Sequence, residues 1–161
     1  MGFVWRLIRL VRRVRPKILH GYLGTSNILA VCLKPFCPGM KVIWGVRASN
    51  MELERYGWLD RLLYWIECRL SQCADVIIVN SHVGLDYAVS HGFPREKMVV
   101  IANGIDTERF YPDRHARARV REMWGIRAEA YLIGLVGRLD PMKGHMTFVR
   151  AAAVLMTQRP D

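Results

Sequence analysis

The chain has 161 residues, 52% of them hydrophobic and 24% charged, and a formal net charge of +10. A chain of this size buries roughly 70% of the surface its unfolded form exposes, enough for a cooperative core if the fold closes on itself. No apolar run approaches the roughly 18–20 residues that cross a bilayer, and no uninterrupted signal-peptide core leads to a small-residue cleavage site, so a cytoplasmic protein is expected.

The charge is unevenly placed. Residues 1–51 hold nine Lys or Arg and no acid, the first acid being Glu52, so the amino-terminal third carries +9 and the remainder +1. Such a field attracts anionic lipid, nucleic acid or phosphorylated substrates without choosing among them. Over residues 3–14, Phe3, Val4, Leu7, Ile8, Leu10, Val11 and Val14 fall on one arc of a helix. Arg6, Arg9, Arg12 and Arg13 fall on the other arc, with Trp5 at the border. A basic amphipathic helix of this kind lies in a membrane interface or covers a parallel sheet, and both hold if its basic face alone touches lipid. Position 6 is Arg6 rather than Ser or Thr, so Met1-Gly2 is not a myristoylation signal.

Strands are expected at 17–20, 41–45, 76–79, 98–101 and 131–136, alternating with helices at 25–34, 58–73, 82–91, 114–124 and 145–157. Alternation of this kind predicts βαβ units and a parallel sheet. His20 would end the first strand, either facing the crevice beyond the sheet or sitting satisfied at a domain edge. In the helix over 58–73, Leu59, Leu62, Leu63, Ile66 and Leu70 make the expected buried face. Cys32, Cys37, Cys68 and Cys73 form two C-x4-C pairs. A five-residue step turns a helix by about 140°, so Cys68 and Cys73 point apart, and thiols are expected rather than zinc or disulfides. Ser81 and Gly92 cap the helix over 82–91, and Asp106 caps the loop after Asn103-Gly104, in which Gly104 can take positive φ. By itself Asn103-Gly104 reads as a simple surface turn. Phe110-Tyr111-Pro112-Asp113 marks a boundary, giving domains 1–112 and 113–161. The arginines at 114, 117, 119 and 121 belong to a solvated linking helix, since no aromatic residues interleave to stack bases, and no nucleic acid partner is expected.

Gly137-Arg138-Leu139-Asp140-Pro141-Met142-Lys143-Gly144 follows the apolar run Tyr131 to Val136 and precedes an apolar helical pattern. Asp140 then reads as an N-cap with Pro141 in the first helical position, which points free backbone N–H groups into the crevice. Arg138 can grip a phosphate bidentately and Lys143 adds a compact charge, a pair suited to a diphosphate; the alternative is an exposed basic loop.

Three segments in order carry a resemblance: Ala74 to Ser81, Val99 to Asp106 followed by Phe110 and Pro112, and Gly137 to Gly144. They resemble the ADxIIxxS, hxVIxNGID and GRLxxxKG motifs of the family-4 retaining glycosyltransferases. That resemblance implies a Rossmann-like α/β fold of the GT-B type, here most of an amino-terminal domain plus the first strand and helix of a carboxyl-terminal one. It also implies that a glycine-rich turn precedes this region and a sugar-binding glutamate pair follows it, so the chain looks like the middle of an enzyme, inactive alone. The implied reaction passes a sugar from a nucleotide diphosphate to a hydroxyl of a glycan or lipid-linked acceptor with retention, without a metal or other cofactor. Gly137, Arg138, Lys143 and Gly144 would hold the donor, while Asn103, Gly104, His20 and Arg47 would line the cleft. In the family the strand matching Val42 to Ser49 often carries an active-site histidine, where this chain has Arg47; the catalytic residue is therefore unassigned, and Arg47 would meet an anionic acceptor or the departing diphosphate. Glu52 and Glu54 are expected to be solvated. A rival reading is a non-catalytic basic module for membrane surfaces or anionic polymers. An NAD-type oxidoreductase is disfavoured because no strand is followed by Gly-x-Gly-x-x-Gly.

Overall fold

The computed structural model describes residues 2–47 and 57–158, so Ala48, Ser49, Glu52 and Glu54 lie outside the described residues. The chain divides into two units, Met1–Ile105 and Asp106–Asp161.

In the first unit, helix α1 (Phe3–Val14) leads through Lys17 into strand β1 (Ile18–Tyr22), followed by α2 (Gly24–Leu33) and β2 (Lys41–Val46). Then come α3 (Trp58–Leu70), β3 (Val76–Val79), α4 (His82–Ser90) and β4 (Met98–Val100). The strands form one parallel sheet in the order β1-β2-β3-β4. Register sets Gly21 against Trp44, Trp44 against Ile77 and Ile77 against Met98. That row crosses the sheet on one face and is buried. Trp44 meets Phe93 edge to face with ring centroids 6.4 Å apart, and the buried apolar residues join in one core. At Gly21 a Cβ would stand 2.9 Å from Asn27 Oδ1, so only glycine lets α2 approach the strand this closely.

Helix α1 divides its apolar arc. Ile8 and Val11 are buried in the core, whereas Phe3, Leu10 and Val14 on the flank beside Arg6 and Arg13 stay exposed. Helix α3 corrects an expectation: Leu59 and Leu62 are 52% and 43% exposed, and its buried side centres on Glu67, with Leu63, Ile66 and Leu70 partly buried beside it. The expected face and the buried side share Leu63, Ile66 and Leu70, but the helix packs with Glu67 rather than Leu59 and Leu62 turned inward. The caps expected of α4 are present. Ser81 Oγ accepts from the Gly84 N–H at 3.0 Å, and Gly92 follows the helix at φ 93.

The second unit holds α5 (Arg114–Met123) and α6 (His145–Gln158). Asp113 Oδ1 caps α5 by accepting from His115 and Ala116, and the Arg121 guanidinium donates to the carbonyls of Ala128 and Ala130, folding the following turn back on the helix. The strand expected at 131–136 is not formed. Tyr131 and Val136 are 93% and 104% exposed, and all four strands of the described residues lie in the first unit. An apolar run becomes a strand only by hydrogen bonding to a neighbour, and this unit offers none among the described residues.

Candidate functional site

All four strands run the same way, so their carboxyl ends converge on one edge of the sheet, where parallel α/β sheets take ligands. A cavity of about 210 Å³ opens there. It is lined by Tyr22 from β1, Gly45 to Arg47 from β2, Ile78 to Asn80 from β3 and Ile101 to Gly104 after β4. A neighbouring cavity of about 480 Å³ shares Tyr22, Val46 and Arg47 and extends over the start of α2 to Asp60, Tyr64 and Glu67 of α3. A larger cavity of about 690 Å³ lies between α3 and α4 and has no strand-end residue. Burial raises the acid range of both Tyr64 and Cys68 there, so the thiol is held in its unreactive form. The strand-end pair is therefore the better candidate, although each of its two cavities is smaller.

Arg47 joins the two strand-end cavities. Its Nη1 donates to Asn103 Oδ1 at 3.1 Å, and its guanidinium carbon stands 5.4 Å from the centre of the Tyr22 ring. A hydrogen bond from beyond β4 and a cation–π contact from β1 hold it in place, leaving its remaining N–H groups for an anion. The Tyr22 ring itself lies over Gly45, where a Cβ would stand 2.7 Å from the ring. Glycine at that position lets the aromatic shelf under Arg47 close down on the sheet.

Glu67 forms the wall of the larger strand-end cavity. Its Oε1 accepts from Asn27 Nδ2 at 2.9 Å, and its Oε2 lies within 2.9 Å of where a Cβ on Gly24 would stand, against the first turn of α2. Burial pushes the carboxyl up from its ordinary range, and the Asn27 hydrogen bond only partly opposes that shift. No motif marks Tyr22 or Glu67. Nor did periodicity find Glu67, which lies outside the expected apolar face of α3 and on the same side of the helix as Asp60.

His20 departs from expectation. The strand continues to Tyr22 because Gly21 and Tyr22 pair with Trp44 and Gly45, so His20 is mid-strand; its exposed ring lies 4.2 Å from that of Tyr22 and lines neither cavity. Gly104 is also corrected. Its φ is not positive, because Ile101 still donates to Val79 and the segment runs on from β4 without a tight turn.

In the second unit the basic turn is compact. Lys143 lays its stem on Gly137, where a Cβ would stand 3.6 Å from Lys143 Cγ, so Gly137, Arg138, Lys143 and Gly144 share one turn. Asp140 Oδ1 accepts from the Met142 N–H at 2.9 Å, but it caps a single 3-10 turn, Pro141–Lys143. Gly144 at φ 66 interrupts the chain before α6 begins at His145, so the expected direct cap of that helix is not formed. His145 Nε2 instead bonds the Arg138 carbonyl at 2.6 Å. Arg138 and Lys143 are exposed, and neither is in an ion pair among the described residues. Those residues also contain no cluster of His, Cys, Asp and Glu that could hold a metal, and the four cysteines are free.

Residues 1–109 match the model of Glycosyltransferase Family 4. A D-inositol 3-phosphate glycosyltransferase of Corynebacterium urealyticum is 36% identical over 90 residues, 55% of this chain and 21% of that protein. A GDP-mannose-dependent alpha-(1-6)-phosphatidylinositol monomannoside mannosyltransferase of Mycolicibacterium smegmatis is 35% identical over 94 residues, 58% of this chain and 24% of that one. A crystal structure of Anabaena Alr3699/HepE in complex with UDP superposes with a TM-score of 0.78 at 16% identity, covering 93% of this chain and 39% of that chain. The same protein with UDP-glucose gives 0.76. The fold is thus a Rossmann-like part of the GT-B architecture, and the match spans under a quarter of each of these two curated relatives.

Proposed function

The chain belongs to glycosyltransferase family 4, and from that membership we propose that it carries the acceptor side and the first phosphate-gripping turn of an enzyme moving a sugar from a nucleotide diphosphate to a hydroxyl with retained configuration. Residues 1–112 then form the acceptor-side domain and residues 113–161 the linker and opening of the donor-binding domain. The reading rests above all on Arg47, held by Asn103 and Tyr22 in a cavity at the carboxyl ends of the sheet.

In this account Arg47 receives an anionic group of the acceptor, and the cavity walled by Glu67 takes its hydroxyl-bearing part. The acceptor is a phosphate-bearing polyol or lipid-linked glycan, in keeping with the inositol phosphate and phosphatidylinositol named for the relatives. Arg138 and Lys143 stabilise the charge developing on the departing diphosphate, by electrostatic preorganisation that needs no protein nucleophile. Residues 1–161 by themselves bind nucleotide weakly and turn over no substrate, because the relatives carry most of their length outside the matched region.

The enzyme works at the cytoplasmic face of a membrane, as a peripheral protein. Support comes from the exposed flank of α1, where Phe3, Leu10 and Val14 border Arg6 and Arg13. No helix of the described residues is long and apolar enough to cross a membrane.

Calorimetric titration with D-inositol 3-phosphate tests the acceptor assignment. Saturable binding that weakens by about tenfold in Arg47→Ala is expected, the value of one charge-assisted contact. Equal affinity of both proteins for the ligand contradicts the role given to Arg47.

A further inference from the structure

Glu67 leaves one carboxyl oxygen unpartnered. The residue is more than nine-tenths buried, and its Oε1 is occupied by Asn27 Nδ2. Its Oε2 has no hydrogen-bond partner among the described residues, yet it is not sealed into the core. That oxygen lies against Gly24, and Gly24 and Glu67 both line the cavity of about 480 Å³. Any larger residue at position 24 displaces it, since the added Cβ would stand 2.9 Å away. An acid buried with half its carboxyl unmatched loses hydration that nothing in the protein returns. Here the unmatched half belongs to the wall of a cavity large enough for a small polar ligand, and a ligand that bonds Oε2 supplies the missing partner.

The lip beside Oε2 is open to a polar ligand as well. No side chain caps α2, so the first-turn N–H groups of Gly24, Thr25 and Ser26 stay free, and these three residues line the same cavity.

The chemistry at this end selects a hydroxyl. Arg47 is the cation among the described residues lining the cavity, and Asp60 is a second acid there. An anionic group placed at Oε2 meets two carboxyls, and an ammonium needs Glu67 ionised against its burial. A hydroxyl both donates and accepts, so it pairs with the carboxyl in either protonation state. We propose that Glu67 is a specificity-determining residue of the acceptor cavity: its Oε2 shares a hydrogen bond with a hydroxyl of the acceptor whose anionic group Arg47 receives. The cavity thereby favours a polyol with one anionic group and disfavours a second anion at the Glu67 end. This inference rests on the acceptor reading given above and adds to it the residue that recognises the polyol part.

Two ligands separate recognition of the polyol from recognition of the phosphate: D-inositol 3-phosphate and inorganic phosphate, each titrated into the chain and its variants. Asn27→Leu/Glu67→Met removes both members of the buried pair, so neither is left unmatched. Glu67→Gln keeps an oxygen that accepts from Asn27 and an amide that donates to a hydroxyl. Gly24→Ala leaves the pair in the sequence and pushes Oε2 from its place. The unaltered chain should bind D-inositol 3-phosphate more tightly than inorganic phosphate. In Asn27→Leu/Glu67→Met and in Gly24→Ala the affinity for D-inositol 3-phosphate should fall about tenfold with that for inorganic phosphate unchanged, while Glu67→Gln stays within about threefold of the unaltered chain. Circular dichroism should report native helix content throughout, and if the double variant does not fold, Gly24→Ala carries the test. Parallel loss of both ligands makes Glu67 a structural support only and overturns the proposal. Undiminished binding of D-inositol 3-phosphate in Gly24→Ala and the double variant also overturns it; if Arg47→Ala still weakens binding, the acceptor reading stands. An unaltered chain that does not bind D-inositol 3-phosphate, or an Arg47→Ala variant that binds it equally well, overturns the acceptor reading and this inference with it.

Discussion

Asn27 and Glu67 are 0% and 8% exposed, and the amide of one is the hydrogen-bond donor to the other at 2.9 Å. Each therefore depends on its partner, since a buried polar group without a hydrogen bond pays its full desolvation cost. Asn27→Ala should destabilise the protein by about 1–3 kcal/mol in urea unfolding, and a cost near zero contradicts the coupling. Glu67→Gln separates charge from shape, because the amide oxygen can still accept from Asn27. Burial raises the Glu67 carboxyl, so the folded state holds this proton more tightly than the unfolded state does. The associated stability is present below the unfolded range near 4 and is lost as pH rises through the folded value. Glu67→Gln should accordingly raise Tm at pH 8 and lose that advantage as pH approaches about 4; a Gln variant less stable at pH 8 contradicts this. Arg47 and Asn103 were marked in the sequence only through the family resemblance. Their hydrogen bond was not, because it joins positions 56 apart, and neither was Tyr22, whose role depends on lying over Gly45.

The elements whose signals are local were the most legible. Helix α1 occupies 3–14 as its periodicity predicts, and α4 lies between Ser81 and Gly92 because a hydroxyl cap and a left-handed glycine act within a few residues of themselves. Ser81→Ala should cost about 1 kcal/mol and Gly92→Ala about as much, the first through a lost cap and the second through strain at φ 93. Thermal unfolding checks both, and a neutral Ser81→Ala shows the cap to be redundant. Elements that need distant partners were less legible. The run at 131–136 has strand composition, but strand identity belongs to a pair, and Asp140 with Pro141 begins a 3-10 turn because Gly144 breaks the chain before α6. The length of β1 was likewise decided by β2, which extends the pairing to Tyr22 and so leaves His20 short of the strand end.

Every buried apolar residue of the core lies in the first unit, the last being Met98, and the described residues of the second unit include none that is buried. Stability should be distributed in the same way. Hydrogen exchange should find the amides of Val42 to Trp44 and Ile77 to Val79 strongly protected, with those of α5 and α6 exchanging far faster; uniform protection along the chain contradicts a core confined to one unit. The two units also divide the proposed chemistry, with the acceptor cavity in one and the phosphate-gripping turn in the other. The donor half of the proposed reaction depends on Arg138 and Lys143 receiving the diphosphate of the donor. Titration of UDP and GDP into the chain and into Arg138→Ala/Lys143→Ala addresses that directly. Weak but saturable binding of one nucleotide is expected, reduced by at least about tenfold in the double variant with its circular dichroism unchanged. Binding that survives the loss of both cations, or an unaltered chain that binds neither nucleotide, contradicts the assignment.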